Sequence, residues 1–165
     1  MSFAVIKWES YIYPENSNKI VDWVYSNLNG TEMTENTNED RMKKLKILLA
    51  EDDEMIERIT SYYLRRYGHE VDIAKNGMEA LDKYKMKEYD LILMDIQMPE
   101  MDGIAAVKEI RKLELEYLSK GHTTIFAITT NPDREECMNA GADGYAQKPF
   151  SFEELSSLFR SYNLV

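Results

Sequence analysis

Four separated segments of the chain carry side chains suited to chemistry. Asp95 closes the apolar run Leu91-Ile92-Leu93-Met94 and leads into Ile96-Gln97-Met98-Pro99-Glu100-Met101-Asp102-Gly103. Glu51-Asp52-Asp53 follows Ile47-Leu48-Leu49-Ala50, Thr129-Thr130 follows the run from Thr124 to Ile128, and Lys148-Pro149 follows Tyr145-Ala146-Gln147. Burying a lone carboxylate is costly unless it is paired or metal-bound, so Asp95 at the lip of an apolar run asks for a chemical reason. Taken by itself, it also fits a turn or helix-capping aspartate. Together the four segments offer acid, acid, hydroxyl and ammonium. Oxygen ligands without His or Cys select a hard cation such as Mg²⁺. Carboxylate, Mg²⁺, Lys and Thr make a phosphoryl-handling set: a nucleophile, neutralising charge and a hydroxyl donor. The plain alternative is four unrelated polar strand ends.

These groups meet only if the elements that carry them lie side by side. From Leu45 the chain alternates strand and helix. Ile47 to Ala50, a strand around Val71 and Ile73, Leu91 to Asp95, Thr124 to Thr129 and Tyr145 to Lys148 read as five strands. Between them, Ile56, Ile59, Tyr63 and Tyr67 mark a helix face ended by Gly68, and Asn76-Gly77 reads as a turn before a helix with Leu81 and Tyr84. Ile104, Val107, Ile110, Leu113 and Tyr117 mark a third helix. Pro132 to Ala140 is a short fourth, stopped by Gly141, and a last one begins at Ser151. There Ser151 and Glu154 form a capping box, with Phe150 stapling onto Leu155. Five β-α units imply an α/β doubly wound parallel sheet with helices on both faces. In such sheets the site lies beyond the carboxyl ends of the strands, where the four polar segments stand.

Composition narrows the classes. A chain of 165 residues, 44% apolar and 30% charged, suits one soluble core with an appendage. A net charge of −10 opposes a nucleic-acid surface and suits a metal cation or a basic partner. One cysteine, Cys137, makes no internal disulfide, and no Cys/His cluster has zinc spacing. With no secretory signal and no run of membrane-spanning length, a cytoplasmic location is expected. Residues 1–44 read as a small β-α extension: a strand from Phe3 to Tyr13, a helix through Ile20, Val21, Val24, Tyr25 and Leu28, then a polar acidic linker over 31–40. Such a unit cannot bury its own apolar face, so it is expected to dock, to support a homodimer, or to be the tail of a domain missing from this chain. Residues 45–165 form the main domain.

That domain resembles the receiver domains of two-component response regulators. The resemblance rests on Ile47-Leu48-Leu49-Ala50-Glu51-Asp52, on Met94-Asp95 through Asp102-Gly103, on Ala127-Ile128-Thr129-Thr130 and on Gly144-Tyr145-Ala146-Gln147-Lys148-Pro149-Phe150, all in order. It implies a flavodoxin-like sheet of order 2-1-3-4-5. Asp95 would be the phosphoacceptor, attacking a phosphohistidine on a sensor histidine kinase or histidine phosphotransfer protein. Asp52, Asp95 and the Gln97 backbone carbonyl would hold Mg²⁺, with Glu51 acting through water. Thr129 and Lys148 would contact the phosphoryl group, and Tyr145 would be the aromatic switch. Such a chain phosphorylates and dephosphorylates itself rather than turning over a substrate. It signals by conformational change, by onward phosphotransfer or by docking a downstream protein.

Three departures from the family pattern stand out. The stretch from Thr129 to Gly141 is about a helical turn short, Thr130 replaces a smaller residue, and the extension is extra. No DNA-binding output is expected after the last helix. The alternatives are a pseudo-receiver, which the retained Asp52, Asp95, Thr129 and Lys148 oppose, and a haloacid-dehalogenase-type phosphatase. The latter needs an acid two residues after its nucleophile, where Gln97 stands. His69 and His122 read as surface turn residues, the ten methionines as core filler, and Arg58, Arg65 and Arg66 as a solvated face or a docking aid.

Overall fold

The computed structural model describes residues 43–117, 121–130, 134–150 and 152–164. The readings made on residues 1–42, on Pro132 and on the Ser151 cap lie outside them. Strands β1 (Lys46–Ala50), β2 (Glu70–Ala74), β3 (Leu91–Asp95), β4 (Thr124–Thr129) and β5 (Gly144–Gln147) alternate with helices α1 (Glu54–Arg66), α2 (Gly77–Met86), α3 (Gly103–Glu116), α4 (Arg134–Ala140) and α5 (Phe152–Ser161). All strand pairings are parallel and the order is β2-β1-β3-β4-β5.

The unbroken apolar strands are explained by helices on both sheet faces. Successive strand residues point to opposite faces. Leu48, Ala50, Ile92, Met94, Ile125 and Ala127 therefore join Ala80, Leu81 and Tyr84 of α2, Ile104, Val107 and Ile110 of α3 and Cys137 of α4. Ile47, Leu49, Leu91, Leu93, Phe126 and Ile128 face the other way and meet Leu64 of α1 with Leu155 and Phe159 of α5. Phe150 packs on this second cluster, to which Leu155 also belongs.

Register fixes the height of the functional strand ends. Ala50 pairs with Met94, and Asp95 pairs with Ile128. Glu51, one residue beyond Ala50, is thus level with Asp95, and Thr129 stands one residue above. Asp53, Asn76 and Asp102 cap α1, α2 and α3 at this same edge, each accepting backbone N–H groups of the first turn.

Several local expectations are corrected. The buried residues of α1 are Thr60, Ser61 and Leu64, whose small members let the helix approach the sheet; Ile56, Ile59 and Tyr63 are half-buried flanks and Tyr67 is an exposed cap. Asn76-Gly77 is the start of α2 itself. Strand β5 stops at Gln147, and Lys148 still donates its N–H to the Thr129 carbonyl at 2.8 Å before Pro149, which has no N–H to extend the ladder.

His69 is not a surface residue. It is 4% exposed, its Nδ1 accepts the Leu45 N–H at 3.3 Å, and its ring stands edge-on to Phe159. Burial holds its pKa below the ordinary histidine value. Its Nε2 is buried without a hydrogen-bond partner. His122 is exposed as expected, although it faces Asp143 at 2.7 Å and Glu114 at 3.4 Å. Met94 fills the core, but Met86, Met78 and Met138 are exposed, so methionine is not a uniform core marker here. Arg58, Arg65 and Arg66 lie on a solvated face. Among the described residues, no helix is long and apolar enough to cross a membrane.

Candidate functional site

At the carboxyl edge of the sheet, Lys148 reaches back from beyond β5 to the ends of β1 and β3. Its Nζ lies 2.6 Å from a Glu51 carboxylate oxygen and 2.7 Å from Asp95 Oδ2. All three side chains are nearly inaccessible, at 8%, 3% and 7% exposure, so these are buried ion pairs whose charges have little water to screen them.

Asp52, exposed beside them, completes an acidic group. One carboxylate oxygen each from Glu51, Asp52 and Asp95 lies within 4.8 Å of the others. Three carboxylates thus face one ammonium. Burial, opposed by Lys148 and reinforced by Asp95, pushes the pKa of Glu51 up to about 7. Burial also works against the charge of Lys148, yet its contacts to Asp95 and Glu51 hold its pKa above the usual lysine value. A divalent cation would correct the imbalance, and an all-oxygen donor set suits Mg²⁺.

Backbone groups fix the carboxylates. The Gln97 N–H donates to Asp95 Oδ1 at 3.1 Å, and the Asp53 N–H donates to Glu51 Oε1 at 3.3 Å. Asp53, to which sequence reasoning assigned no role, therefore caps α1 with its side chain while its backbone restrains Glu51. The signal for this was the acidic residue just before a helix start. Gly103 shows how tightly the next loop folds over Asp95: a Cβ there would lie 2.1 Å from the Asp95 carbonyl oxygen.

Each site residue read from the sequence has a place at or beside this edge. Glu51, Asp52, Asp95 and Lys148 form the charged cluster. Thr129 is buried at the end of β4. Gln97 follows Asp95 by two residues with its side chain exposed, and Thr130 Oγ1 donates to its Oε1 at 2.7 Å, linking the loops after β3 and β4. Tyr145 is half-buried on β5, opposite Ala127, and packs on the core cluster shared with α2, α3 and α4.

The protein-family model for the response regulator receiver domain matches residues 47–160. Hybrid signal transduction histidine kinase B of Dictyostelium discoideum is 40% identical over 120 residues, which cover 67% of this chain but only 6% of that kinase. Among solved structures, the receiver domain of a sensor histidine kinase from Pseudomonas aeruginosa, with a magnesium ion coordinated in its active-site cleft, is 33% identical. The match covers 73% of this chain and 98% of that one, with a TM-score of 0.65. The receiver domain of Ssk1 from Saccharomyces cerevisiae, crystallised with the histidine phosphotransfer signalling protein Ypd1, is 31% identical over 71% of this chain and 87% of that one, with a TM-score of 0.66.

Proposed function

The chain belongs to the response regulator receiver domain family of two-component and phosphorelay signalling, and from that membership we propose that Asp95 accepts a phosphoryl group from a phosphohistidine. The donor is a sensor histidine kinase or a histidine phosphotransfer protein. Support comes from the kinase relatives and from the yeast receiver domain crystallised with its phosphotransfer protein. The observation that carries the reading is the buried Asp95 carboxylate, held at 2.7 Å by Lys148 inside the acidic group of Glu51 and Asp52.

In the transfer, an Asp95 oxygen bonds to phosphorus while the phosphorus–nitrogen bond breaks and its electron pair stays on the imidazole. Asp52, Asp95 and the Gln97 carbonyl would hold Mg²⁺, with Glu51 acting through water. When bound, the ion supplies positive charge to the phosphoryl oxygens and to the carboxylates. Lys148 is held by Glu51 and Asp95 where it can pair with a phosphoryl oxygen, and the Thr129 hydroxyl donates to another. The added charge draws Thr129 and Lys148 toward residue 95, and Tyr145 on the same β4–β5 side moves inward with them. The result is passed on by docking a downstream protein or by onward phosphotransfer, and the chain catalyses its own dephosphorylation rather than a turnover reaction.

Intact-mass spectrometry after incubation with acetyl phosphate tests this reading. It predicts one Mg²⁺-dependent phosphoryl adduct that hydroxylamine removes and that Asp95→Asn lacks. An adduct persisting in Asp95→Asn, or none in the native chain with Mg²⁺, would overturn it.

A further inference from the structure

The loop that carries Gln97 from β3 to α3 is held by a helix that contributes no ligand to the site. Gly77, the first residue of α2, is buried and donates its N–H to the Met101 carbonyl at 2.9 Å. The first N–H groups of a helix have no partner within it, so the loop satisfies one of them. Only a glycine allows the contact. A Cβ at residue 77 would lie 2.6 Å from the Met101 carbonyl oxygen, 2.8 Å from Met101 Cγ and 2.9 Å from the Asp102 carbonyl oxygen. Two of those atoms are backbone and cannot swing aside.

Both sides of this contact are fixed. On the helix side, buried Asn76 accepts the Glu79 N–H at 2.8 Å, Glu79 accepts the Lys75 N–H at 3.0 Å, and Ala80 and Leu81 are in the core. On the loop side, the Ile96 N–H donates to Ile128, the Gly103 N–H returns to the Ile96 carbonyl, and Asp102 caps α3. Between these anchors the chain passes through Glu100 at φ 64, a left-handed conformation unfavourable for a residue with a side chain. A loop held in such a conformation depends on its anchors, and Gly77 is the anchor supplied by α2.

We propose that Gly77 is a positioning residue for the metal ligand at Gln97: its contact with Met101 sets the height of residues 97–101 over the carboxylates. A side chain at 77 lifts the loop and carries the Gln97 carbonyl away from Glu51, Asp52 and Asp95. This rests on the metal assignment made above.

The test is a Mg²⁺ titration of the full chain followed by the backbone amide resonances of Asp95 and Gln97. Groups that support a metal ligand typically change affinity by 10–100-fold, so Gly77→Ala is expected to raise the Mg²⁺ Kd at least about tenfold. Gly144→Ala is the control, because a Cβ there would meet Phe126 Cδ1 at 2.6 Å and stress the fold at the amino-terminal end of β5. Its Kd should stay within about twofold of the native value, as for independent sites. An unchanged Kd in Gly77→Ala, or an equal loss in Gly144→Ala, overturns the proposal and leaves the metal assignment standing. Should Gly77→Ala not fold, the native chain decides: the Gly77 amide must shift along the same isotherm as Gln97, and an unmoved Gly77 amide overturns the proposal. Absence of any saturable shift at Asp95 and Gln97 in the native chain brings down the metal assignment, and this proposal with it.

Discussion

Lys148 Nζ and Asp95 Oδ2 stand 2.7 Å apart across the ends of β5 and β3, with less than a tenth of either side chain exposed. Removing one partner of a buried ion pair leaves an uncompensated charge, which typically costs about 3–5 kcal/mol. Lys148→Met is therefore expected to lower stability on that order, since Glu51 and Asp95 lose their shared ammonium. Urea denaturation in the absence of divalent ions measures it. A loss below about 1 kcal/mol, the range of exposed pairs, would contradict the buried pairing.

Mg²⁺ should stabilise the native state by mass action on the three carboxylates. At a hundred times its Kd a ligand that binds only the native state adds about 2.7 kcal/mol. The melting temperature of the native chain is expected to rise with Mg²⁺, and that of Asp52→Asn to respond far less. Equal responses in the two proteins would remove Asp52 from the ligand set.

The pH dependence of stability has an identifiable contributor in His69. Its folded pKa is lowered by burial, so between that value and the unfolded value of about 6.5 the unfolded chain binds more protons. Its contribution is complete above about pH 6.5 and is lost as pH falls through the folded pKa. Asn at this position keeps an acceptor for the Leu45 N–H but does not titrate. The stability gap between the native chain and His69→Asn should shrink from about pH 7 to pH 5. A gap that stays constant would show that His69 does not stay neutral in the fold.

Gly103 permits the closest approach in the site. A methyl group placed 2.1 Å from the Asp95 carbonyl must displace either β3 or the start of α3. Gly103→Ala is expected to destabilise by at least about 2 kcal/mol, the upper part of the overpacking range. A neutral effect in urea denaturation would mean that the α3 start moves freely relative to Asp95.

What the sequence made legible follows from period and position. Strand β3 was readable to the residue, because four apolar side chains run without a break into one carboxylate, and the charged cluster followed from polar groups at the strand ends. The face of α1 was misread because Thr60 and Ser61 are buried by close helix–sheet approach, a property of distance rather than hydropathy. His69 was misplaced for a similar reason: Leu45 and Phe159, far from it in sequence, cover it in the fold. The contact of Gly77 with Met101 is equally non-local, and a helix-starting Asn-Gly looks like an ordinary turn until its neighbour is seen.

The most direct measurement is borohydride reduction of the chain after acetyl phosphate and Mg²⁺ treatment, followed by peptide mapping. Borohydride converts an aspartyl phosphate to homoserine and leaves free carboxylates intact. The account predicts homoserine at position 95 alone, absent without Mg²⁺. Homoserine at position 52, or an unmodified residue 95 in a chain that carries the phosphoryl adduct, would contradict it.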